Sequence, residues 1–540
     1  MNRAITLTET WPRGWRCPSV LSLTAATIAL LIVLPLVYVV WQALSVPAGV
    51  WLQLWRGRVP FLLFNTLRLA AGVAICTLIW GIGLAWLVVR YDFPGRRVWT
   101  WLLAAPLGIP PYIMAYVYTE LFASWGPLQL LLRQVLGPEA RLPSLYNSFP
   151  STVLILSLAT FPYVYLLSRA AFLQANVAYE EAARLTGAGR WRCYCRVVLP
   201  MQRPAIAAGL FLVCLYVLAD FGAVSILRYS TFTRAVYLQM TGRYDLIGAA
   251  ALSLILVCLG LAFFLAERHF RRRGRFFQTT GGYRPLTPRR LTGWSGIAAG
   301  CACWLMFIPS FGAVVTYLGV EAVAQIRQGA LNWEFWSYAG NSVLGSAVAA
   351  TLATACALPL TYVALRRPTR THRVLLQMAY AGYVLPGPII ALGLIFVTVH
   401  LFAPLYGTAA VLVLMYVVRF LPQSLQAEEV ALHQLAPVLE EAGRSTGVPL
   451  WRVLWRVTVP LMRPGLVTGW VLVFISAMKE LPATLLLRPV GFDTLAVRIW
   501  IETSEEFYAQ AAPAALLLVV ITLPLMAFVL SHGSTYRRIT

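Results

Sequence analysis

Apolar runs able to cross a bilayer, which takes roughly 20 residues, alternate with short polar segments along this chain. The first, Leu21 to Trp41, carries no charge. Leu69 to Val89, Val98 to Thr119 and Ser151 to Ser168 follow. The fifth starts near Ala205, ends near Ile226 and is interrupted by Asp220; the sixth is Leu246 to Ala266. A basic polar stretch, Glu267 to Arg290, precedes six more runs, within 294–319, 341–365, 374–399, 404–425, 464–487 and 509–530. The pattern predicts an all-α, polytopic membrane protein with twelve spans. The expected organisation is a tail at 1–20, a first six-helix half at 21–266, a linker at 267–293, a second six-helix half at 294–530 and a tail at 531–540. The first run is longer than the roughly 7–15 apolar residues of a cleaved signal segment, so it is read as a span.

The chain is 59% hydrophobic and only 12% charged, where a soluble chain has about 25% charged residues. Its net charge is +23, from 43 basic and 20 acidic residues. Such an excess suits a nucleic-acid partner, but its distribution gives another reason. Basic residues concentrate in alternate loops: Arg96 and Arg97, the cluster Arg271, Arg272, Arg273 and Arg275, then Arg366, Arg367, Arg370 and Arg373. This is the positive-inside bias, and it places both termini and the linker in the cytoplasm. Nucleic acid is not needed to explain the charge.

Lys479 is the single lysine and lies in Ser-Ala-Met-Lys-Glu-Leu-Pro, unlike a phosphate-binding loop. No nucleotide site is expected in this chain. Cys193 and Cys195 form C-x-C in a predicted cytoplasmic loop and read as small incidental side chains, with no disulfide or zinc spacing. Of the five histidines, His269, His372, His433 and His532 fall on the predicted cytoplasmic side and His400 does not; none pairs with another as a metal site requires.

The chain also repeats itself. Residues 180–209 align with 440–469 without a gap at an offset of 260. Glu180 matches Glu440, Glu181 matches Glu441 and Gly187 matches Gly447. Trp191 matches Trp451, Arg196 matches Arg456, Pro200 matches Pro460, Pro204 matches Pro464 and Gly209 matches Gly469. Upstream the offset becomes 276, so that Asn65 matches Asn341, Arg90 matches Arg366 and Pro110 matches Pro386. Two parallel halves about a pseudo-two-fold axis along the membrane normal are expected, a transporter arrangement.

Each repeated segment follows the fourth span of its half, on the arginine-rich side. Ala182, Leu185, Trp191, Tyr194, Val197 and Val198 recur at helical spacing, which predicts two short helices. Glu180 and Glu181 suit the first turn of one helix. Gly187 and Gly447 are placed to end it in the left-handed conformation. Pro200 and Pro460 are expected to stop the second helix. A plain interfacial linker accounts for one such segment more easily than for two with the same spacing.

Glu181-Ala182-Ala183, Gly187 and Val197-x-Leu199-Pro200 resemble the EAA signature of binding-protein-dependent ABC-importer permeases. Glu441-Ala442-Gly443, Gly447 and Val457-x-Val459-Pro460 are similar, departing at Gly443 and Val459. The resemblance covers nearly the whole chain, as a fused double permease of type I architecture. It implies that each loop, near Gly187 to Arg196 and Gly447 to Arg456, docks on one of two cytoplasmic ABC ATPase subunits. It further implies a periplasmic substrate-binding protein, a bacterial inner-membrane location, and ATP with magnesium on the partner subunits. No cofactor, metal or catalytic residue is expected in this chain itself.

Asp220 and Glu480 match at the 260 offset, near the outer parts of the fifth and eleventh spans. Intramembrane acids are candidates for a transport route or gate; a fixed salt bridge or a span terminus is the plainer reading. The stretches Ala219 to Ser225, Lys479 to Thr484, Leu485 to Pro489 and Gly491 to Leu495 resemble ferric-iron permeases. Fused permeases for thiamine and phosphonates share the architecture, and a secondary transporter would share spans and repeats but not the paired loops. The arginine bias predicts that cysteines at 280 and 500 react with an impermeant reagent from opposite faces. Labelling from one face would end the twelve-span orientation.

Overall fold

The computed structural model describes residues 19–273, 284 and 287–535. Among them, strand structure is confined to a two-residue parallel pairing of Tyr91–Asp92 with Arg289–Arg290. Eight helices are long and apolar enough to cross a membrane: Val20–Leu44, Val59–Arg90, Phe149–Leu173, Leu246–Ala266, Trp294–Arg327, Trp333–Arg366, Ala409–Gln434 and Tyr508–Ser531. Three further pairs reach that length only together and bend between their parts. Arg96–Gly108 turns 90° into Pro111–Leu121, Trp191–Met201 turns 68° into Arg203–Ala219, and Leu450–Leu461 turns 73° into Arg463–Met478. Gly387–Leu401 is a shorter apolar helix. The chain is thus an all-α polytopic membrane protein with eight to eleven long apolar helices.

The third and ninth apolar runs are not single helices. The third is divided into Arg96–Leu102, a 3-10 turn at Ala105–Gly108, and Pro111–Leu121. The ninth is divided into Arg370–Ala379, Ala381–Val384 and Gly387–Leu401. Pro106, Pro110 and Pro111 in one, and Pro386 and Pro388 in the other, remove donors and disfavour helix in the residue before them. Both legs of each run are apolar, so hydropathy reads straight across the break. The fifth and eleventh runs also break, after Ala219 and Met478. The short helices Gly222–Ile226 and Pro482–Leu487 follow, then Phe232–Thr241 and Leu495–Ser504 in stretches expected to be loops.

Packing repeats as the sequence does. Val59–Arg90 lies against Phe149–Leu173 and Arg203–Ala219, and Trp333–Arg366 lies against Ala409–Gln434 and Arg463–Met478. Backbones cross closely at matching glycines. A Cβ on Gly209 would sit 3.1 Å from Val164 Cα, and one on Gly469 would sit 3.0 Å from Ser424 Cα. Small residues permit such approach where lipid supplies no hydrophobic drive between helices. The leading helices exchange: Ser19–Leu44 packs on Gly387–Leu401, while Ala313–Arg327 packs on Pro111–Leu121.

The outer labelling position needs one change. Trp500 is partly buried, its ring 5.2 Å from that of Phe221, whereas Glu505 is exposed. Position 280 lies outside the described residues. Single cysteines replacing Thr280 and Glu505 should react with a membrane-impermeant maleimide from opposite faces of sealed vesicles. Reaction from the same face would refute the orientation read from the arginines.

Candidate coupling loops and intramembrane acids

Each loop is anchored by a buried carboxylate. Asn176 starts the helix Val177–Leu185, its side chain accepting from Ala178 N at 3.0 Å. Glu180, in the first turn, reaches Arg90 at 2.8 Å and Arg184 at 3.5 Å. In the other loop Glu440 of Pro437–Ser445 reaches Arg366 at 3.2 Å and accepts from Tyr362 Oη at 3.3 Å and Thr458 Oγ1 at 3.1 Å. Arg90 and Arg366 are the last residues of the long helices Val59–Arg90 and Trp333–Arg366. Breaking a buried pair of this kind costs about 3–5 kcal/mol, so the glutamates tie loop to bundle as well as suiting a first turn. Glu181 and Glu441 are exposed. Glu181 pairs with Arg284 of the linker, whose carbonyl accepts from Val177 N at 3.0 Å.

Gly187 and Gly447 end the first helices with φ of +82° and +78°. A Cβ at either would meet nothing within 4 Å, so the requirement for glycine is purely conformational. The second helices do not stop at Pro200 and Pro460. They pass through π-helical turns, Tyr194–Val198 and Leu454–Thr458, and end after Met201 and Leu461. In these turns Leu199 N bonds to Tyr194 O and Val459 N to Leu454 O. The wider ladder absorbs the donor that each proline lacks. The bend into the next helix follows directly.

The helical apolar periodicity of the loops does not mark a core face. Leu185 is 90% exposed, Trp191 76% and Trp451 60%. Ala182, Ala442, Arg196 and Arg456 are exposed as well. The buried loop positions face inward: Glu180, Cys193 and Val198 in one loop, and Glu440, Val453 and Thr458 in the other. Cys193 Sγ lies 4.0 Å from Glu180 O, and burial pushes its thiol pKa up; it fills space. The departure at Gly443 has a local reason. Val453 occupies the place of Cys193, and a Cβ on Gly443 would lie 3.3 Å from Val453 Cγ1. The glycine makes room for the larger neighbour.

Asp220 and Glu480 both serve backbone breaks. Asp220 Oδ2 accepts from Val224 N at 3.1 Å, and Glu480 Oε1 accepts from Ala483 N at 3.0 Å. Each carboxylate thereby caps the short helix that follows it. Glu480 also pairs with Arg419 at 2.8 Å; the corresponding residue in the first half is Ala159, and Asp220 has no such partner there. Lys479 donates to Leu107 O at 2.6 Å. Sequence reasoning passed over Arg419, although an arginine within an apolar run is itself a signal of an intramembrane partner.

The long apolar helices are those of a multi-pass membrane protein. The chain belongs to the binding-protein-dependent transport system inner membrane component family, matched over residues 77–276 and 351–532. It is therefore the permease subunit of an ABC importer for a small solute, and not itself an ATPase. It is 30% identical over 509 residues to the Fe(3+)-transport system permease protein FbpB 2 of Haemophilus influenzae, spanning 94% of this chain and 96% of that one. It is 22% identical over 492 residues to the ferric transport system permease protein FbpB of Actinobacillus pleuropneumoniae, covering 88% of this chain and 71% of that one. A shorter match, 28% over 249 residues, is to the sulfate transport system permease protein CysW of Escherichia coli, 43% of this chain and 80% of that one.

The Gly443 pairing makes a stability test. Gly443→Ala alone should crowd Val453 and lower the melting temperature of the purified permease, by the equivalent of about 1–3 kcal/mol for overpacking. Gly443→Ala with Val453→Cys should recover it. Equal melting of both variants would mean that the two positions do not share volume.

Proposed function

We propose that this permease carries ferric iron from a periplasmic binding protein to the cytoplasm through twelve crossings, six in each half. Gly387–Leu401 and the membrane legs of the three bent pairs bring the eight long helices to that number. Both termini are cytoplasmic, and each half seats one ABC ATPase subunit. The observation carrying the coupling role is the exposed apolar face of two loops of matching local geometry, each tied to its bundle by a buried glutamate–arginine pair. Exposed tryptophan and leucine beside arginine are what a partner groove would cover. The substrate reading is supported by the two iron-transport relatives, which match across nearly the whole chain, whereas the sulfate permease matches one half.

Coupling is tested at the turns. Valine in the left-handed conformation costs roughly 1–2 kcal/mol or more, with no clash added at Gly187 or Gly447. Gly187→Val or Gly447→Val should leave the permease inserted and cut ligand-stimulated ATP hydrolysis and ferric uptake well below half. The ATPase pair closes as a unit, so one misdirected loop damages the whole cycle. Full stimulated activity in both variants, with the ATPase still bound, would rule out these loops as the coupling elements.

Asp220 and Glu480 support the route or gate between the halves, through the breaks that they cap. Asp220→Asn with Glu480→Gln keeps a capping oxygen at each site and removes both charges. Uptake should fall while the quantity of permease in the membrane holds. Normal uptake would leave the two acids as helix caps alone.

A further inference from the structure

The linker returns to the bundle through its short strand pairing. Arg289–Arg290 runs parallel to Tyr91–Asp92, and Leu291 N donates to Asp92 O at 2.9 Å. The chain then enters Trp294–Phe307, the first helix of the second half. A cavity of about 560 Å³ lies here, bordered by this helix, the linker strand and the end of Val59–Arg90. Arg289, Arg290, Thr292 and Ser295 supply its polar lining, and Leu87, Ala298, Ala299 and Ala302 supply apolar lining. Ser295, Ala298, Ala299 and Ala302 are spaced three, four and seven residues apart from the first, so they share one helix face. That face runs from a hydroxyl to bare alanine over about 10 Å. The cavity is therefore polar at the linker end and apolar further along the helix.

Arg289 and Arg290 are exposed, and among the described residues no carboxylate pairs with either. Asp92, the acid of the paired strand, lies 3.8 Å from Arg96 and does not border the cavity. The helix itself is turned to lipid. Trp294–Arg327 is long and apolar enough to span a membrane, yet little of it is covered by protein. Trp294 is 86% exposed, Ile297 55% and Leu305 76%. Tryptophan at the end of a span sits at headgroup level, which puts the arginines among headgroups and the alanines beside acyl chains. Guanidinium groups bind phosphate oxygens through charge-assisted hydrogen bonds. A free phosphate would use only the polar end. The volume is that of a site for a small organic ligand, and the alanine wall suits hydrocarbon.

We propose that this cavity binds one anionic phospholipid, the headgroup held by Arg289 and Arg290 with Thr292 and Ser295 beside it, and an acyl chain lying along Leu87, Ala298 and Ala302. Basic pockets between membrane helices take anionic headgroups in this way. In the orientation proposed above, the lipid comes from the cytoplasmic leaflet. The strand pairing fixes the backbone of both arginines before the lipid arrives, which lowers the cost of ordering them. Tyr91 adjoins Arg90, the partner of Glu180, so the lipid braces the helix end that anchors the first loop.

The test uses the purified full-length permease in detergent, with dioleoyl phosphatidylglycerol, dioleoyl phosphatidylcholine or inorganic phosphate added, and native mass spectrometry to count bound lipid. The wild type should hold one phosphatidylglycerol more tightly than phosphatidylcholine by about tenfold or more, given two arginines beside the anionic headgroup. Arg289→Gln with Arg290→Gln should erase that preference. Arg370→Gln with Arg373→Gln, which removes the same charge from another exposed segment, should keep it. Ala302→Phe fills the apolar end without touching a charge and should weaken phosphatidylglycerol binding severalfold. Inorganic phosphate in large excess should not displace the lipid. No preference in the wild type, or full preference after loss of Arg289 and Arg290, would refute the site. Equal loss in the two arginine pairs would reduce it to general attraction by a basic surface, and refute it as well. Displacement by inorganic phosphate, with Ala302→Phe binding like the wild type, would make this a free-phosphate site and overturn the lipid assignment.

Discussion

Every backbone donor and acceptor inside the bilayer must find a partner within the protein, because lipid offers none. That constraint shapes this molecule more than any single contact. It makes the chain all-helical across its apolar runs, and it dictates what happens where a helix is broken. After Ala219 and Met478 the ladder is interrupted, and Asp220, one residue past the first break, and Glu480, two past the second, accept from the backbone of the following short helix. The prolines of the third and ninth runs stand at the start of legs, Pro111–Leu121 and Gly387–Leu401, that are packed within protein. The π turns before Pro200 and Pro460 solve the same difficulty by shifting the ladder rather than breaking it.

The two repeated loops obey a different logic. Water can satisfy their backbone, so their position must be fixed by side chains. Glu180 with Arg90 and Glu440 with Arg366 do this, joining the short helices to the ends of the long helices Val59–Arg90 and Trp333–Arg366. Those long helices in turn cross the other helices of their bundles. Under the proposed coupling, a push on the loop would pass to these long helices, with the exposed apolar face left for the partner. In the first loop the linker adds a clip through Arg284, which brings the chain leaving one half back over that half's own loop.

The repeat and its departures are linked by packing. Val453 beside Gly443, where the first half has Cys193 beside Ala183, exchanges volume between two neighbours and leaves the loop geometry intact. Arg419 with Glu480, where the first half has Ala159 and Asp220, does not conserve charge in the same way. Two halves of matching local build therefore present unequal chemistry to the seam between them.

The sequence alone determined the membrane class, the number and approximate places of the apolar runs, the repeat, and the two loops with their glycine turns. All of these rest on local quantities: hydropathy over a span, arginine placement, and a backbone angle that glycine alone adopts readily. It left open what covers the apolar positions of the loops, because helical spacing predicts a helix at Leu185 and Trp191 but not whether protein or water lies against them. Nor could it show the 90° break in the third run, since both legs are equally apolar. Only the tertiary structure joined Glu180 to Arg90, Glu440 to Arg366 and Glu480 to Arg419. Those partners are far apart in the chain, and their meeting depends on how whole helices cross.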